Sequence, residues 1–356
     1  MDKIWKICKY EYMSNKTFQT PFFVDDVALK KMKLVAVAYS HVDREDFPTQ
    51  GAYEAEVEVE DRAEEVIAEV AKLGVAVKGY AANQYFLTNI LVDKPDLVLN
   101  LVDTVRGKER LQPAVPGALE LSAVKYTGAG LKGLVLGNDR HMFKQMLIAH
   151  DIPTPAYKFI KDMRSKVPAD LGLPLIIKLN ESGGSVGIDN KAVKETMEAA
   201  TKKIAKMIGE HKMHVIAEQF IDGPELTAVI YDDGHKKHVF LGQKMFRVKP
   251  DGKHDFTSLE SYEDVKSYYY KIPSQDVIDR VTPLVMRAFE VLDYRDYAKF
   301  DIRYNEESKT AYFIDCNPNT ALGPDKGLPM TEVLYTHNIE FTHLLKSLLC
   351  KYAEKI

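Results

Sequence analysis

Two aspartates and an asparagine near the C-terminus have a spacing that suits a metal ion. The stretch from Tyr297 to Gly323, YAKFDIRYNEESKTAYFIDCNPNTALG, reads as two strands joined by a polar loop. Alternation puts Lys299, Asp301 and Arg303 on one face of the first strand, and Phe300, Ile302 and Tyr304 on the other. On the second strand Asp315 and Asn317 share a face. A hairpin symmetric about Ser308 sets Asp301 directly opposite Asp315. Two bare carboxylates facing each other repel. A hard divalent cation between them removes the conflict, and Asn317 supplies a further oxygen. A solvated acidic strand face would look similar. The apolar opposite face and the Asn317-Pro318-Asn319 run after it tip the balance to metal.

A second stretch, LPLIIKLNESGGSVGIDN from Leu173 to Asn190, could hold an anion. A β run reaches Lys178 and is followed by a loop containing Gly183, Gly184, Ser185 and Val186. Glycines let backbone N–H groups turn toward one anion, and a lysine on the preceding strand neutralises it. A tight hairpin would explain the glycines equally well, and no Walker motif is present. Arg140 opens a further helix after Asp139. Lys144, one turn on, reads as a solvated helix charge.

The elements that position these residues follow from pattern. A fully buried strand, MKLVAVAYS, runs from about Lys33, and Asp96 to Asn100 is a second. Between them Val66, Ile67, Val70 and Leu73 form the apolar face of a helix over Arg62 to Leu73, stopped by Gly74. Strand, helix, strand predicts an α/β, doubly wound, largely parallel sheet. Further helices are expected over Leu111 to Val124 (restarting at Pro116), Lys194 to Ile208, Asp276 to Leu292 (interrupted by Pro283) and Ile339 to Leu349. Strands are expected over Val215 to Phe220 and Glu225 to Tyr231. Residues 247–275 are polar and tyrosine-rich, long for a simple connection, with Arg247 and Lys249 as candidate anion contacts or surface charges.

Composition sets the outer bounds. A chain of 356 residues implies two or three domains. It is 46% hydrophobic and 28% charged, ordinary for an enzyme, and its net charge of -4 gives no reason to expect nucleic acid or an anionic membrane as partner. Cys8, Cys316 and Cys350 form no CxxC and no disulfide framework, which fits a reducing cytoplasm. No apolar run approaches the roughly 18 residues of a membrane span. The opening MDKIWKICKYEY carries charges within its only apolar patch, unlike a signal peptide. Residues 1–32 read as a packing arm, a dimer contact or an upstream start, and their aromatics favour packing over disorder.

From Leu34 onward, and most strongly from Thr127 to Gly323, the ordered set of Arg140, Lys178, the glycine loop, Glu218 to Glu225, Asp301, Asp315 and Asn317 resembles the ATP-grasp ligases, in particular the D-alanine–D-alanine ligase-like members. The Tyr126-Thr127-Gly128 turn before the Arg140 helix resembles their pattern too. The resemblance implies an N-terminal extension over 1–32, an N-terminal α/β domain over 33–129, a central ATP-grasp lid over 130–217, and a C-terminal subdomain with the metal site over 218–356. It implies ATP as nucleotide, with Arg140 and Lys178 on its phosphates and backbone N–H groups of Gly183, Gly184, Ser185 and Val186 over them. The backbone of Glu218, Gln219, Phe220 and Ile221 would read adenine, and Glu225 would hold the ribose. Two Mg²⁺ ions, or Mn²⁺ in their place, would sit on Asp301, Asp315 and Asn317. Lys299 or Arg303, with backbone N–H groups near Asn319 to Gly323, would hold the oxyanion as an amine attacks an acyl phosphate. The partners implied are a small carboxylate and an amine, released as an amide with ADP and phosphate. The analogy also points to a homodimer.

Three departures stand out. Asp315 replaces the usual glutamate, Lys299 replaces an arginine, and Gly184 replaces a serine of the D-alanine triad. The glutamate of that triad is absent after the first strand, where the chain has Tyr39-Ser40-His41. Rival readings are a kinase- or carboxylase-like ATP-grasp enzyme, and a regulatory ATP-binding subunit. A NAD-type dehydrogenase is disfavoured because no GxGxxG follows the first strand.

Overall fold

The computed structural model describes all residues except 1–17, 19, 48–49, 163–166, 184–185, 248 and 260–266. Near the N-terminus β1 (Val35–Tyr39), β2 (Val77–Ala81) and β3 (Leu97–Leu101) form a parallel sheet in the order β2-β1-β3. The unbroken apolar run of β1 has a simple cause. Val35 and Val37 point into one core, Ala36 and Ala38 into another, so both faces of the strand are covered. Helix α2 (Gln50–Lys72) covers the first face with Ala63, Val66 and Val70. Helices α3 (Phe86–Asp93) and α4 (Ala114–Leu121) cover the second with Phe86, Ile90, Val115 and Leu119.

Two antiparallel sheets follow. The smaller has the order β4-β7-β5-β6, from β4 (Tyr157–Ile160), β5 (Leu175–Leu179), β6 (Val193–Lys194) and β7 (Val215–Gln219). The larger has the order β10-β9-β8-β11-β12, from β8 (Glu225–Asp232), β9 (Lys237–Phe246), β10 (Tyr268–Lys271), β11 (Tyr297–Asn305) and β12 (Thr310–Asn317). Between the parallel sheet and β4 lie α5 (Leu131–Gly137) and α6 (Arg140–Ala149). Helix α7 (Met197–His211) lays Ala200, Ile204 and Met207 on the smaller sheet. Helix α8 (Gln275–Val291) lays Val281, Val285, Ala288 and Phe289 against Phe300, Ile302 and Phe313 of the larger one. The opposite face of the larger sheet shares one core with the parallel sheet, α9 (Pro329–Thr336) and α10 (Phe341–Ala353).

Several boundaries differ from the sequence pattern for physical reasons. Helix α2 starts at Gln50 rather than near Arg62, because its polar first turns carry little apolar periodicity. Helix α8 runs through Pro283 unbroken; that residue is exposed, so the carbonyl freed by the missing N–H faces water. Pro116 lies in the first turn of α4, where an N–H has no helical partner, and does not restart the helix. The tyrosine-rich segment ends in a strand, β10, whose alternation buries Tyr268 and Tyr270 and exposes Tyr269.

The described part of the N-terminal extension is a packing arm. Phe22 is buried edge-on against Tyr231 at 4.7 Å between ring centroids. The Phe23 N–H donates to Asp233 at 3.0 Å, and Asp25 caps the short helix α1 (Asp26–Leu29). The sequence expectations for residues 1–17 lie outside the described residues.

Candidate active site

The β11–β12 hairpin sets Asp301 opposite Asp315 and Lys299 opposite Asn317. This register depends on a bulge. Ile302 pairs with Phe313, so Ile314 is the extra residue, and without the bulge Asp301 would face Ile314. The buried side chains of Phe300, Ile302 and Phe313 hold the strand pair from behind. Each carboxylate has a cation of its own. Lys299 Nζ lies 2.5 Å from Asp301 Oδ2, and Arg140 Nη2 lies 2.6 Å from Asp315 Oδ2. Desolvation works against the Asp315 charge, but Arg140, Lys178 and Lys299 together hold its carboxyl below the usual range. Asn317 Oδ1 is shut off from solvent and, among the described residues, accepts no hydrogen bond. An orphaned acceptor beside two carboxylates is the donor set a hard cation takes, so the three residues fit a divalent ion. Among the described residues no cluster of three His, Cys, Asp or Glu side chains offers a competing metal site.

Arg140 ties this hairpin to the glycine loop. Asp139 caps α6 by accepting from the Met142 N–H at 2.9 Å, which fixes the first turn. From there Arg140, 6% exposed, donates to the carbonyls of Leu179 (2.8 Å) and Ser182 as well as to Asp315. Lys178 projects from the end of β5 and pairs with Glu218 Oε1 at 2.7 Å. Lys144 is not a solvated helix charge. It is fully buried and pairs with Glu218 Oε2 at 2.7 Å, a partner supplied by β7, 74 residues along the chain. Burial pushes the Glu218 carboxyl up, and the two lysines overcome that to hold it below its ordinary value.

The loop itself has a partner that sequence reading did not find. The Gly183 N–H donates to Glu109, 2.8 Å from Oε1 and 2.6 Å from Oε2. Burial pushes the Glu109 carboxyl up to about 7, against the pull of Gly183 and Arg140 and with the help of Asp103 and Asp315. No motif marks Glu109; it lies in a 3-10 turn beyond β3. The Val186 side chain is exposed and its N–H donates to Gly183 O at 3.2 Å. Gly184 and Ser185 lie outside the described residues.

The segment after β7 is closely packed. The N–H groups of Gln219 and Phe220 donate to the carbonyls of Ala156 and Pro174, so those two donors are spent within the protein. Gly223 has φ 121°, and a Cβ there would lie 2.1 Å from Tyr304 O, so only glycine lets this turn lie on β11. Glu225 meets Lys244 Nζ at 2.8 Å, Thr257 Oγ1 at 2.5 Å and Arg303 Nη1 at 3.5 Å. Burial opposes its charge, but Lys244 and Arg303 bring its pKa down to about 2. Arg303 also donates to Ile221 O at 2.9 Å and Asp255 O at 2.5 Å, and lies 4.7 Å over the Phe220 ring. The structure therefore brings Lys299, but not Arg303, to the facing aspartates; the guanidinium of Arg303 is taken up at the turn after β7. Arg247 and Lys249 are exposed.

A parallel sheet joined to two antiparallel sheets, with an acidic hairpin and a lysine-headed glycine loop between them, defines an ATP-grasp fold. The family model described as "D-ala D-ala ligase C-terminus" matches residues 147–350. The chain belongs to the D-Ala–D-Ala ligase family. It is 28% identical over 225 residues to the D-alanine–D-alanine ligase of a Polaromonas species, a match covering 61% of this chain and 64% of that one. It is 31% identical over 231 residues to the D-alanine–D-alanine ligase of Cupriavidus metallidurans, covering 64% and 68% of the two chains. Among solved structures, the D-alanine–D-alanine ligase from Bacillus anthracis complexed with ATP superposes with a TM-score of 0.68 at 17% identity, covering 91% of this chain and 98% of that one. The VanG D-Ala:D-Ser ligase from Enterococcus faecalis gives 0.67 at 17%, covering 90% and 99%.

Proposed function

We propose that this protein is an ATP-dependent carboxylate–amine ligase that joins two amino acids, or similar small molecules, through an acyl phosphate, releasing ADP and phosphate. The observation that carries the proposal is the bulged hairpin, with Asp301 opposite Asp315 and the Asn317 oxygen orphaned beside them. Divalent ions held by these three residues would offset the negative charge of the ATP phosphates. Arg140 and Lys178 place two buried cations beside the same point. Arg140 holds the loop carbonyl of Ser182 while facing Asp315, so it can keep the loop and a γ-phosphate in register. Lys299 stands next to Asp301, where it can hold the oxyanion formed as the amine attacks. The acyl phosphate hydrolyses in water, so the site has to be closed to water during the reaction.

The relatives named above are D-alanine–D-alanine and D-Ala:D-Ser ligases, which makes D-amino acids the first substrates to try. The test is product analysis with ATP, Mg²⁺ and D-alanine, then with a pool of amino acids and small carboxylic acids. ADP and phosphate that appear only with a carboxylate–amine pair support the ligase. AMP and pyrophosphate would refute the acyl-phosphate route. Sustained ADP release with a carboxylate and no amine would favour kinase-like chemistry instead.

A further inference from the structure

Resting on the nucleotide reading above, we propose that Lys144 is a positioning residue: a fixed counterion for Glu218 that leaves Lys178 free to give its charge to an incoming phosphate. Glu218 is 1% exposed and carries one ammonium on each oxygen, both at 2.7 Å. The two lysines are held differently. Lys144 is anchored on three sides: by Glu218, by Thr154 Oγ1 at 2.8 Å, and by the Tyr157 ring at 5.6 Å. Thr154 is itself fixed, because its hydroxyl donates to Phe313 O at 2.9 Å on β12. Lys178 pairs with Glu218 and, among the described residues, with no other side chain. It sits at the end of β5, just before the glycine loop.

The physical consequence follows from burial. With Lys178 as sole partner, any ligand drawing it away would strand a buried carboxylate, and that penalty would oppose binding. With Lys144 fixed on the other oxygen, Glu218 keeps a full counterion whatever Lys178 does. Two lysines against one glutamate leave the triad one positive charge in excess, and Asp315, the nearby carboxylate that Lys178 also influences, has Arg140 as its own counterion at 2.6 Å, so an anion can satisfy that excess.

The test is a double-mutant cycle on the full chain, reading the ATP dissociation constant by calorimetry with steady-state kinetics alongside. In Lys144→Met, Glu218 has only Lys178 and should retain it. The expected result is ATP binding weaker by roughly 10- to 100-fold, as a rise in KM for ATP with little change in kcat. Adding Glu218→Gln removes the charge that retains Lys178 and should restore binding to within about threefold of Glu218→Gln alone. Lys144→Gln, which still offers Glu218 an N–H, carries the same expectation and serves if the Met variant does not fold. Wild-type ATP affinity in Lys144→Met overturns the inference, as does a loss that Glu218→Gln does not repair, since a merely structural lysine would show no such rescue. Failure of the wild-type chain to bind ATP would overturn the nucleotide reading and this inference together, an outcome distinct from either of those.

Discussion

Replacing Glu109 with glutamine should raise the stability of the protein at neutral and alkaline pH and flatten its dependence on pH. The carboxylate accepts the Gly183 N–H, and burial lifts its pKa from 4.5 to about 7, with Asp103 and Asp315 adding to the rise. A raised acid pKa means that the folded chain holds the proton more tightly than the unfolded chain. The contribution is therefore present in full below pH 4.5 and is lost as pH climbs through about 7. A shift of about 2.5 units, at about 1.36 kcal/mol each, sets an upper figure of about 3 kcal/mol. Water reaching the partly exposed side chain lowers this to about 2 kcal/mol. Glutamine still offers Gly183 one acceptor and does not titrate. Glu56, itself pushed up to about 7 by burial, Asp103 and Glu109, keeps part of the slope in the variant. Urea unfolding at a series of pH values measures the difference directly. Stability curves for the two proteins that run parallel from about pH 5 to pH 8 would refute the reasoning.

Three further outcomes are expected. Asp315→Ala should abolish ADP formation while leaving the fold intact, because Arg140 keeps both of its carbonyl contacts; wild-type-like ADP release in that variant would sink the metal assignment. Gly128→Ala should destabilise by about 2 kcal/mol or more, since φ is 86° and the new Cβ would lie 2.3 Å from Asn319 Oδ1; an unfolding midpoint within error of wild type would count against that fit. Phe22→Ala should cost about 3 kcal/mol through its buried contact with Tyr231, with ATP affinity unchanged; a shift of less than about 1 °C in Tm would show that the arm is not part of the core.

Much of this molecule could be read from local pattern. The alternation along Tyr297 to Asn305 was enough to orient Asp301, and the unbroken apolar run at Val35 to Ala38 was enough to require a strand covered on both sides. Symmetry about Ser308 reached the right pairing of the aspartates by a route that the chain achieves with a bulge at Ile314, which no pattern announced. What stayed hidden depends on residues far apart. Lys144 reads as a surface charge because its partner Glu218 arrives from another strand, and Lys178 cannot be seen to share that partner. Glu109 has no spacing signal at all, since what it meets is one N–H of a loop 74 residues along the chain. Arg303 lies on the same face as Asp301, but Ile221 and Asp255 claim its guanidinium two residues farther along. Alternation gives the face; it does not give the neighbour across it.

The aromatic arm also bears on how the protein is made. Phe23 waits for Asp233, 210 residues later, and the Asp25 carbonyl is met by Cys350, 325 residues later. A ribosome delivers the arm well before its docking surface. At about 5–20 residues per second the arm stays undocked for tens of seconds while the three sheets assemble behind it. Its seating thus has to wait until Phe341–Ala353 has been made. A polypeptide stalled before Phe341–Ala353 emerges has nowhere to put Leu29 and Met32, and leaves that apolar surface open to chaperones and proteases.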